Sequence, residues 1–477
     1  MTPSSESIDT PDTAETPSKS PPRKRPAQDL ITIREDTLPD TEGLCEEELD
    51  EIYEAAKQKD YKLSELQAMT MQELMHLAGK EGVQSTSGMG KQELVFELLK
   101  ARVMNAGLGW GEGVLDILPD GFGFLRSPSH CYAAGPDDIY VSPSQIRRLN
   151  LRPGHLVAGP IRPPKDGERY FALLRVEAIE NGPVDELQTR VPFDDLTPLL
   201  PDERLSLDHQ GCGADVRLLD LLAPMGKGQR VIVQTPPLSG RSVLLTNLAR
   251  AILHNHPDVY VIMLVIDEQP EEITEMEQRT ASSSMREIAA STFADPASRH
   301  ISLSEIVVEK ARRLVESGAD VVILMDSLTA LTRAYNQELQ PSGKTLSNGL
   351  DAASLQKPKR FLSSAHKLQE GGSLTIVATV LTDTGSPMND VICDQFQSKA
   401  NCEIVLDEHL ADLHIYPALD VFKTRTRRED SLMSDDEIKK IRNLRKQFGD
   451  SSPQEALEQL IQMIDQSESN EALLAGL

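Results

Sequence analysis

The stretch "VIVQTPPLSGRSVLLTNLARAI", Val231 to Ile252, decides the fold. It begins as an apolar run of strand length, turns through Pro, Ser and Gly, and continues with Leu and Ala at helical spacing. Strand, tight loop and helix in that order are the setting of a phosphate cradle, because the free amides of a helix N-terminus point at an anion. Such loops end in Gly-Lys-Ser or Gly-Lys-Thr. This one ends Gly240-Arg241-Ser242. Gly240 lets the backbone approach a phosphate, and Ser242 offers a hydroxyl to Mg2+.

Around this stretch, "RVIVQT", "VYVIMLVID", "DVVILMD" and "SLTIVATVL" are continuous apolar runs separated by helical segments. That pattern predicts a mainly parallel sheet covered on both faces, with right-handed crossovers. The second run ends Asp267-Glu268-Gln269, so its carboxylates fall at the carboxyl edge, where α/β folds bind ligands. Glu268 suits the polarisation of an attacking water; the bland alternative is a solvated turn. The third run ends Met325-Asp326-Ser327 and matches the acidic residue that holds Mg2+ in P-loop enzymes. Three strands bringing suitable groups to one edge are more specific than any one of them.

Upstream, "GVLDILPDGFGFLR" has apolar segments on both sides of Pro119-Asp120-Gly121, a hairpin signal. Short strands follow in "DIYVS", "HLVAGPI" and "RYFALLRVEAI", which predicts a small β-barrel. Phe122 and Phe124 are two apart and share a face, which Gly121 and Gly123 are expected to leave open. With Arg126, Asp138, Tyr140, Arg169 and Tyr170 nearby, they form a stacking surface for single-stranded nucleic acid; a pair of core rings is the alternative. Before the barrel, Thr70-Met71-Gln72-Glu73 has capping-box spacing ahead of Leu74, Leu77 and Ala78, and predicts a small helical module.

The chain has 477 residues and a formal net charge of −26, which by itself opposes nucleic-acid binding. Its distribution weakens that objection. Residues 1–50 carry 13 acidic against 5 basic side chains, and residues 429–477 carry 11 against 5. No apolar stretch is long enough to span a membrane, no apolar signal core is present, and the five cysteines include no C-x-x-C pair. A cytoplasmic protein without disulfides or zinc is expected. His254 and His256, before Pro257, read as a solvated helix end rather than a metal pair.

The segments "DGFGFLR", "GPDDIYVSPSQIRRLNLR", "RPPKDGERYFALLRVE", "IDEQPEE", "ASTFADPASRH", "DSLTALTRAYN" and "EGGSLTIVATVLTDTGS" together resemble the bacterial transcription termination factors of the Rho family over roughly residues 60–430. The resemblance implies a multidomain α/β protein. Residues 1–59 would be a disordered acidic tail and 60–105 a helical module. Residues 106–182 would form an OB-fold, cold-shock-like RNA-binding barrel, and 183–214 a linker. A RecA-like P-loop ATPase domain would span 215–430, with an acidic helical tail over 431–477. A homohexamer that binds nascent single-stranded RNA, hydrolyses ATP with Mg2+, translocates and releases transcripts from RNA polymerase would follow.

By motif match, RNA would contact Asp120, Gly121, Phe122, Gly123, Phe124, Leu125 and Arg126, then Asp138, Ile139 and Tyr140, then Glu168, Arg169 and Tyr170. ATP contacts would fall on Gly226, Lys227, Gly228, Gln229, Arg230 and Val231, and on Leu238, Ser239, Gly240, Arg241, Ser242, Val243 and Gln269. Glu268 would be the catalytic carboxylate, Ser242 and Asp326 the Mg2+ holders, and Arg427 an arginine finger reaching a neighbouring subunit. Lys344 and Pro387 would stand in the two pore loops that grip RNA. The family loop resembles A-P-P-K-A-G-K-T, whereas Leu238 and Arg241 replace both lysines here, and Gln269, Pro387 and His414 also stand where cations are usual. A slowed motor is expected; the alternative is a Rho-like RNA-binding ring or regulatory subunit that does not turn over.

Overall fold

The computed structural model describes residues 70–81, 94, 98, 109–136, 138–162, 164, 168–180, 182–184, 190–281, 283, 285–340, 349–449 and 451–476. The N-terminal tail and Lys344 lie outside them. The capping box forms: the Thr70 amide donates to Glu73 Oε2 at 2.8 Å, and the Glu73 amide donates to Thr70 Oγ1. It starts α1 (Met71–Glu81), which buries Leu74 and Ala78; Leu94 and Leu98 are buried as well.

The barrel is built from β1 (Gly109–Ile117), β2 (Gly123–Arg126), β3 (Ile139–Val141), β4 (Leu156–Arg162) and β5 (Phe171–Leu173), with α2 (Pro143–Arg148) after β3. The strand order β1-β2-β3-β5-β4 closes because β1 also pairs with β4. The Pro119-Asp120-Gly121 turn is present, with Gly121 at φ 91° and its amide donating to the Leu118 carbonyl at 2.9 Å. Alternation then separates two faces. Leu125, Ile139, Val141 and Leu173 fill the interior, while Phe122, Phe124 and Tyr140 lie in a separate cluster on the other face. Short β6 (Ala178–Ile179) and β7 (Gly182–Pro183) complete the sheet.

Residues 190–213 are more than a polar linker. Phe193 and Leu196 are buried against the motor, and the Phe193 amide donates to Glu316 Oε1 at 2.6 Å. β8 (Pro198–Leu199) joins the edge of the motor sheet, and β9 (Arg204–Leu205) pairs with β10 (Met225–Gly226), which follows α3 (Ala214–Leu222). The reason is apolar content. Phe193, Leu196, Leu205 and Leu207 have cores to enter, although the surrounding composition is polar.

The motor sheet contains β11 (Arg230–Thr235), β12 (Tyr260–Glu268), β13 (Arg286–Thr292), β14 (Asp320–Asp326), β15 (His366–Leu368), β16 (Ser373–Leu381), β17 (Cys402–Val405) and β18 (Arg425–Thr426). Its order is β13-β12-β14-β16-β11-β17-β18, parallel except for β18, with β15 antiparallel on β16. The crossovers include α4 (Arg241–Asn255), α5 (Pro270–Thr280), α6 (Ala297–Glu316), α7 (Leu328–Glu338), α8 (Gln356–Ser363) and α9 (Pro387–Gln397). A short α10 (Glu408–Asp412) follows β17.

The C-terminal helices α11 (Asp435–Gln447), α12 (Pro453–Asp465) and α13 (Asn470–Ala475) are not a free tail. Ile438, Leu444, Leu457, Leu460 and Leu473 share a core cluster with β11 and α4. Buried Arg217 of α3 donates to the Ile464 and Ser467 carbonyls at 2.8 Å each and caps the end of α12 with a cation. Among the described residues no helix is long and apolar enough to cross a membrane, and no group of three or more His, Cys, Asp and Glu side chains is placed to hold a metal ion. The His254 ring stacks on His209 at 4.2 Å.

A buried polar set fastens barrel to motor. Tyr132 after β2 donates to Glu287 of β13, which also accepts from Tyr260 Oη at 2.8 Å and pairs with Lys310 of α6. Gly154, at φ 89°, lies so close to α6 that a Cβ would stand 2.3 Å from the Glu309 carbonyl carbon. Only glycine permits that approach.

Candidate functional site

At the carboxyl edge of β11 the chain turns through Pro236 to Gly240. Gly240, in the left-handed region at φ 80°, caps α4 without a side-chain hydrogen bond, so the first amides of the helix remain for an anion. Leu238 stands 91 % exposed at the tip and brings the loop no charge. The cleft beside the loop has a volume of about 500 Å3 and is walled by the loop, the start of α4, Glu268, Gln269 and α5.

Strand β12 breaks its register between Ile266 and Glu268. Asp267 takes a positive φ of 64° and points outward, and Glu268 becomes buried in the cleft wall. The bulge therefore re-aims the carboxylate that strict alternation would have misplaced. Asp326 ends β14, almost wholly buried. Its Oδ1 accepts from Thr379 Oγ1 at 2.7 Å, and its Oδ2 has no hydrogen bond and meets Arg241 Nε at 3.2 Å. Through Nη2 the Arg241 guanidinium also donates to Glu268 Oε2, so one cation joins both carboxylates.

Ser242 Oγ donates to Glu272 Oε2 of α5 at 2.7 Å. Burial raises the pKa of Glu268 above its ordinary value; Arg241 opposes that shift, and Asp326 and Glu272 reinforce it. Burial likewise raises Asp326. Burial acts against the Arg241 charge, but Asp326 and Glu268 more than reverse it and hold the guanidinium above its usual range. The donor set of Ser242 hydroxyl and two carboxylates, with a buried Asp326 oxygen lacking a hydrogen bond, suits a hard divalent cation. Sequence reading gave Glu272 no role of its own and missed Thr379, whose pairings arise only when α5 and β16 are set beside the loop.

On the other flank of the loop lies a second cavity, of about 380 Å3, lined by Val243, Leu244, Leu406, Tyr416 and Pro417. Tyr416 is 49 % exposed, and its hydroxyl donates to the Leu238 carbonyl at 3.2 Å. This apolar pocket with one aromatic wall was also missed; its sequence signal, Tyr-Pro after an apolar residue, is weak.

The residues Gly226 to Val231 do not join this cluster. They lie at the amino end of β11, a strand length of about 20 Å from the loop, because six residues at ~3.3 Å each separate the two ends. Lys227 is held by Glu203 and by Asp320 at 2.8 Å, and Arg230 donates to the carbonyls of Ala365 and Lys399. Arg427 is at the same edge, half-exposed, and contacts Glu403 at 3.2 Å. Within one chain these groups cannot touch the nucleotide that the loop would hold. Pro387 opens α9, whose first turn carries Asp390 and no cation.

On the barrel, Phe122 and Phe124 are 3 % and 5 % exposed, which corrects the expectation of an open face. The rings cover one another: Phe122 meets Phe124 edge-on at 5.8 Å, and Tyr170 closes on Phe124 at 4.9 Å. Tyr140 stands 5.9 Å from Phe122. The Arg126 guanidinium lies 5.3 Å from the Phe124 ring centre and pairs with Asp138 and with Asp116 at 3.3 Å. Burial raises Asp138 above its ordinary pKa against the opposing Gly135 amide and Arg126. Glu168 is held by Arg162 through two bonds, 2.8 and 3.2 Å, and Arg169 is exposed at the rim.

Three family descriptions match the chain. They are the Rho termination factor N-terminal domain over residues 65–107, the Rho termination factor RNA-binding domain over 111–185, and the nucleotide-binding domain of the ATP synthase alpha/beta family over 215–425. The chain is 49 % identical over 416 residues to the transcription termination factor Rho of Rhodopirellula baltica, covering 87 % of this chain and 81 % of that one. It is 47 % identical over 418 residues to the Rho of Chromobacterium violaceum, covering 87 % and 99 %. Among solved structures, a type III secretion system ATPase aligns with 54 % of this chain and 71 % of its own, at 23 % identity and a TM-score of 0.47.

Proposed function

The chain belongs to the Rho family of transcription termination factors, and from that premise we propose which of its residues carry each step. Its function is that of a Rho-type termination factor: single-stranded RNA binds, and RNA-dependent ATP hydrolysis drives release of the transcript. The observation that carries the residue assignment is the convergence of Gly240, Arg241, Ser242 and Glu268 on one cleft, with buried Asp326 paired to Arg241 behind it.

The α4 amides and Arg241 receive the phosphates, and the Tyr416 pocket receives the base. Ser242 and Asp326 would hold Mg2+, the Ser242 hydroxyl turning from Glu272 to do so. An ion held there would supply neutralisation of charge on the phosphoryl oxygens. Glu268 orients the attacking water, and its raised pKa suits a group that accepts a proton. The amino edge with Arg230 and Arg427 faces the nucleotide of a neighbouring copy in a hexameric ring, in which Pro387 lies on a pore loop. The barrel aromatics open to stack bases, with Arg169 at the rim and Arg126 behind. RNA polymerase is the partner from which the transcript is released, and the compartment is the cytoplasm.

Steady-state ATP turnover, with and without pyrimidine-rich RNA, tests this reading. Stimulation by RNA, lost in Glu268→Gln with RNA binding retained, is expected. RNA binding without turnover in the native chain would instead identify the non-hydrolysing ring.

A further inference from the structure

We infer that the cleft between barrel and motor is a second seat for single-stranded RNA, receiving the strand where it leaves the aromatic face of the barrel. The inference rests on the barrel reading above and extends it to a surface outside the barrel motifs. The cleft has a volume of about 760 Å3, in the size class of sites for nucleotide-sized ligands rather than folded partners.

Arg126 joins the two surfaces. Its guanidinium lies over the Phe124 ring on one side and lines the cleft on the other. The facing wall comes from the motor, where α6 brings Arg299 and Arg312 and α8 brings Lys357 and Arg360. Five cations thus meet three carboxylates, Asp116, Glu305 and Glu309, in a chain whose net charge is −26. Lys357 is held by Glu305 at 3.1 Å in an exposed pair, the kind that contributes little to stability and is easily exchanged. The Arg360 side chain is exposed and makes no hydrogen bond or ion pair with any described residue. An exposed, unpaired guanidinium beside an exchangeable ammonium suits the negative oxygens of a phosphodiester chain. Phe361 and Tyr132 supply apolar wall between the cations.

A free nucleotide would gain nothing from the shared Arg126, whereas a strand already stacked on the barrel reaches the cleft without a second encounter. Tethering of that kind raises the effective concentration of the next segment. The ligand is therefore the continuous RNA chain, held by its backbone and with little base preference.

The test uses the full-length protein and two oligocytidylates, one of ~4 nucleotides that fills the barrel face alone and one of ~16 that can run on. Arg360→Gln and the double change Lys357→Glu with Arg360→Glu should weaken binding of the long RNA, by about tenfold or more for the double change. They should lower the slope of log affinity against log salt by about 1 for each phosphate that the variant no longer neutralises. Binding of the short RNA should stay unchanged. Long RNA carrying photoreactive thiouridine should cross-link to residues 356–363 in the native protein, a readout that holds even where a variant folds poorly. Unchanged affinity and salt slope for the long RNA, or cross-links confined to the barrel, would overturn the inference. If neither RNA binds the native chain, the barrel reading itself fails, and the cleft falls with it.

Discussion

Arg241 meets both carboxylates that would serve the nucleotide, at Glu268 and at Asp326. Three carboxylates, with Glu272, surround that one guanidinium, and Leu238 and Gln269 add no charge. A planar guanidinium engaged by two carboxylates must reorient before it can follow the γ-phosphoryl, whereas a lysine acts as a mobile point charge. Binding that serves the ground state alone does not accelerate turnover. Leu238→Lys with Arg241→Lys should raise RNA-stimulated ATPase, by tenfold for each ~1.4 kcal/mol of transition-state stabilisation recovered. If the native chain already runs at full motor speed and the double change slows it, Arg241 is an adapted catalytic residue. Arg241 in place of the loop lysine and the edge carboxylates were legible in sequence, since each depends only on position along a strand or loop, whereas the change at Leu238 showed only through the family resemblance. The grip of Arg241 on two strands at once was not, because it is set by the spacing of β12 and β14 across the sheet.

The central strands β11, β12, β14 and β16 announced themselves as unbroken apolar runs, since burial on both faces leaves no room for polar alternation. β13, "REIAAST", did not. It is the edge strand of the sheet, and its charged and small residues blur the signal. The barrel face was placed correctly by alternation, but mutual cover among its rings depends on which strands adjoin. The docking of α6 against the barrel was equally illegible, and it carries a pH dependence. Burial pushes Glu180, near Lys310, Arg190 and Arg313, up from 4.5 to about 7. The folded state thus binds a proton that an unfolded glutamate has released, so stability falls as pH rises from about 4.5 to about 7. Burial pushes His155 down from 6.5 to about 3, and stability falls as pH drops through that interval. The two slopes oppose each other where they overlap. Glu180→Gln should therefore raise Tm relative to the native chain at about pH 8 much more than at about pH 5, by the equivalent of roughly 2–3 kcal/mol. An equal Tm difference at both values would disprove the assignment.

At the scale of the whole molecule, the charge of −26 misleads because much of it sits at the two ends, and the amino edge of the motor sheet gathers Arg230, Arg425 and Arg427. That edge lies a strand length from the loop of the same chain, so Arg427 can act on a nucleotide only in a neighbour. Light scattering with RNA and nucleotide present should report a hexamer, and Arg427→Ala should lower turnover by ~10³ or more without dissolving it. A strict monomer under those conditions would end the motor reading. Within each copy, the Tyr132, Glu287, Lys310 and Tyr260 set has a further effect. Swinging the barrel on the motor would take the Tyr132 hydroxyl from the buried Glu287 carboxylate and Lys310 ammonium, which keep each other, at about 1.5–3 kcal/mol for a hydrogen bond to a charged group. The subunit is welded at its waist. In a ring of such copies, RNA held by the barrel would move with its motor as one body, and the stroke would be taken up at the seams between copies.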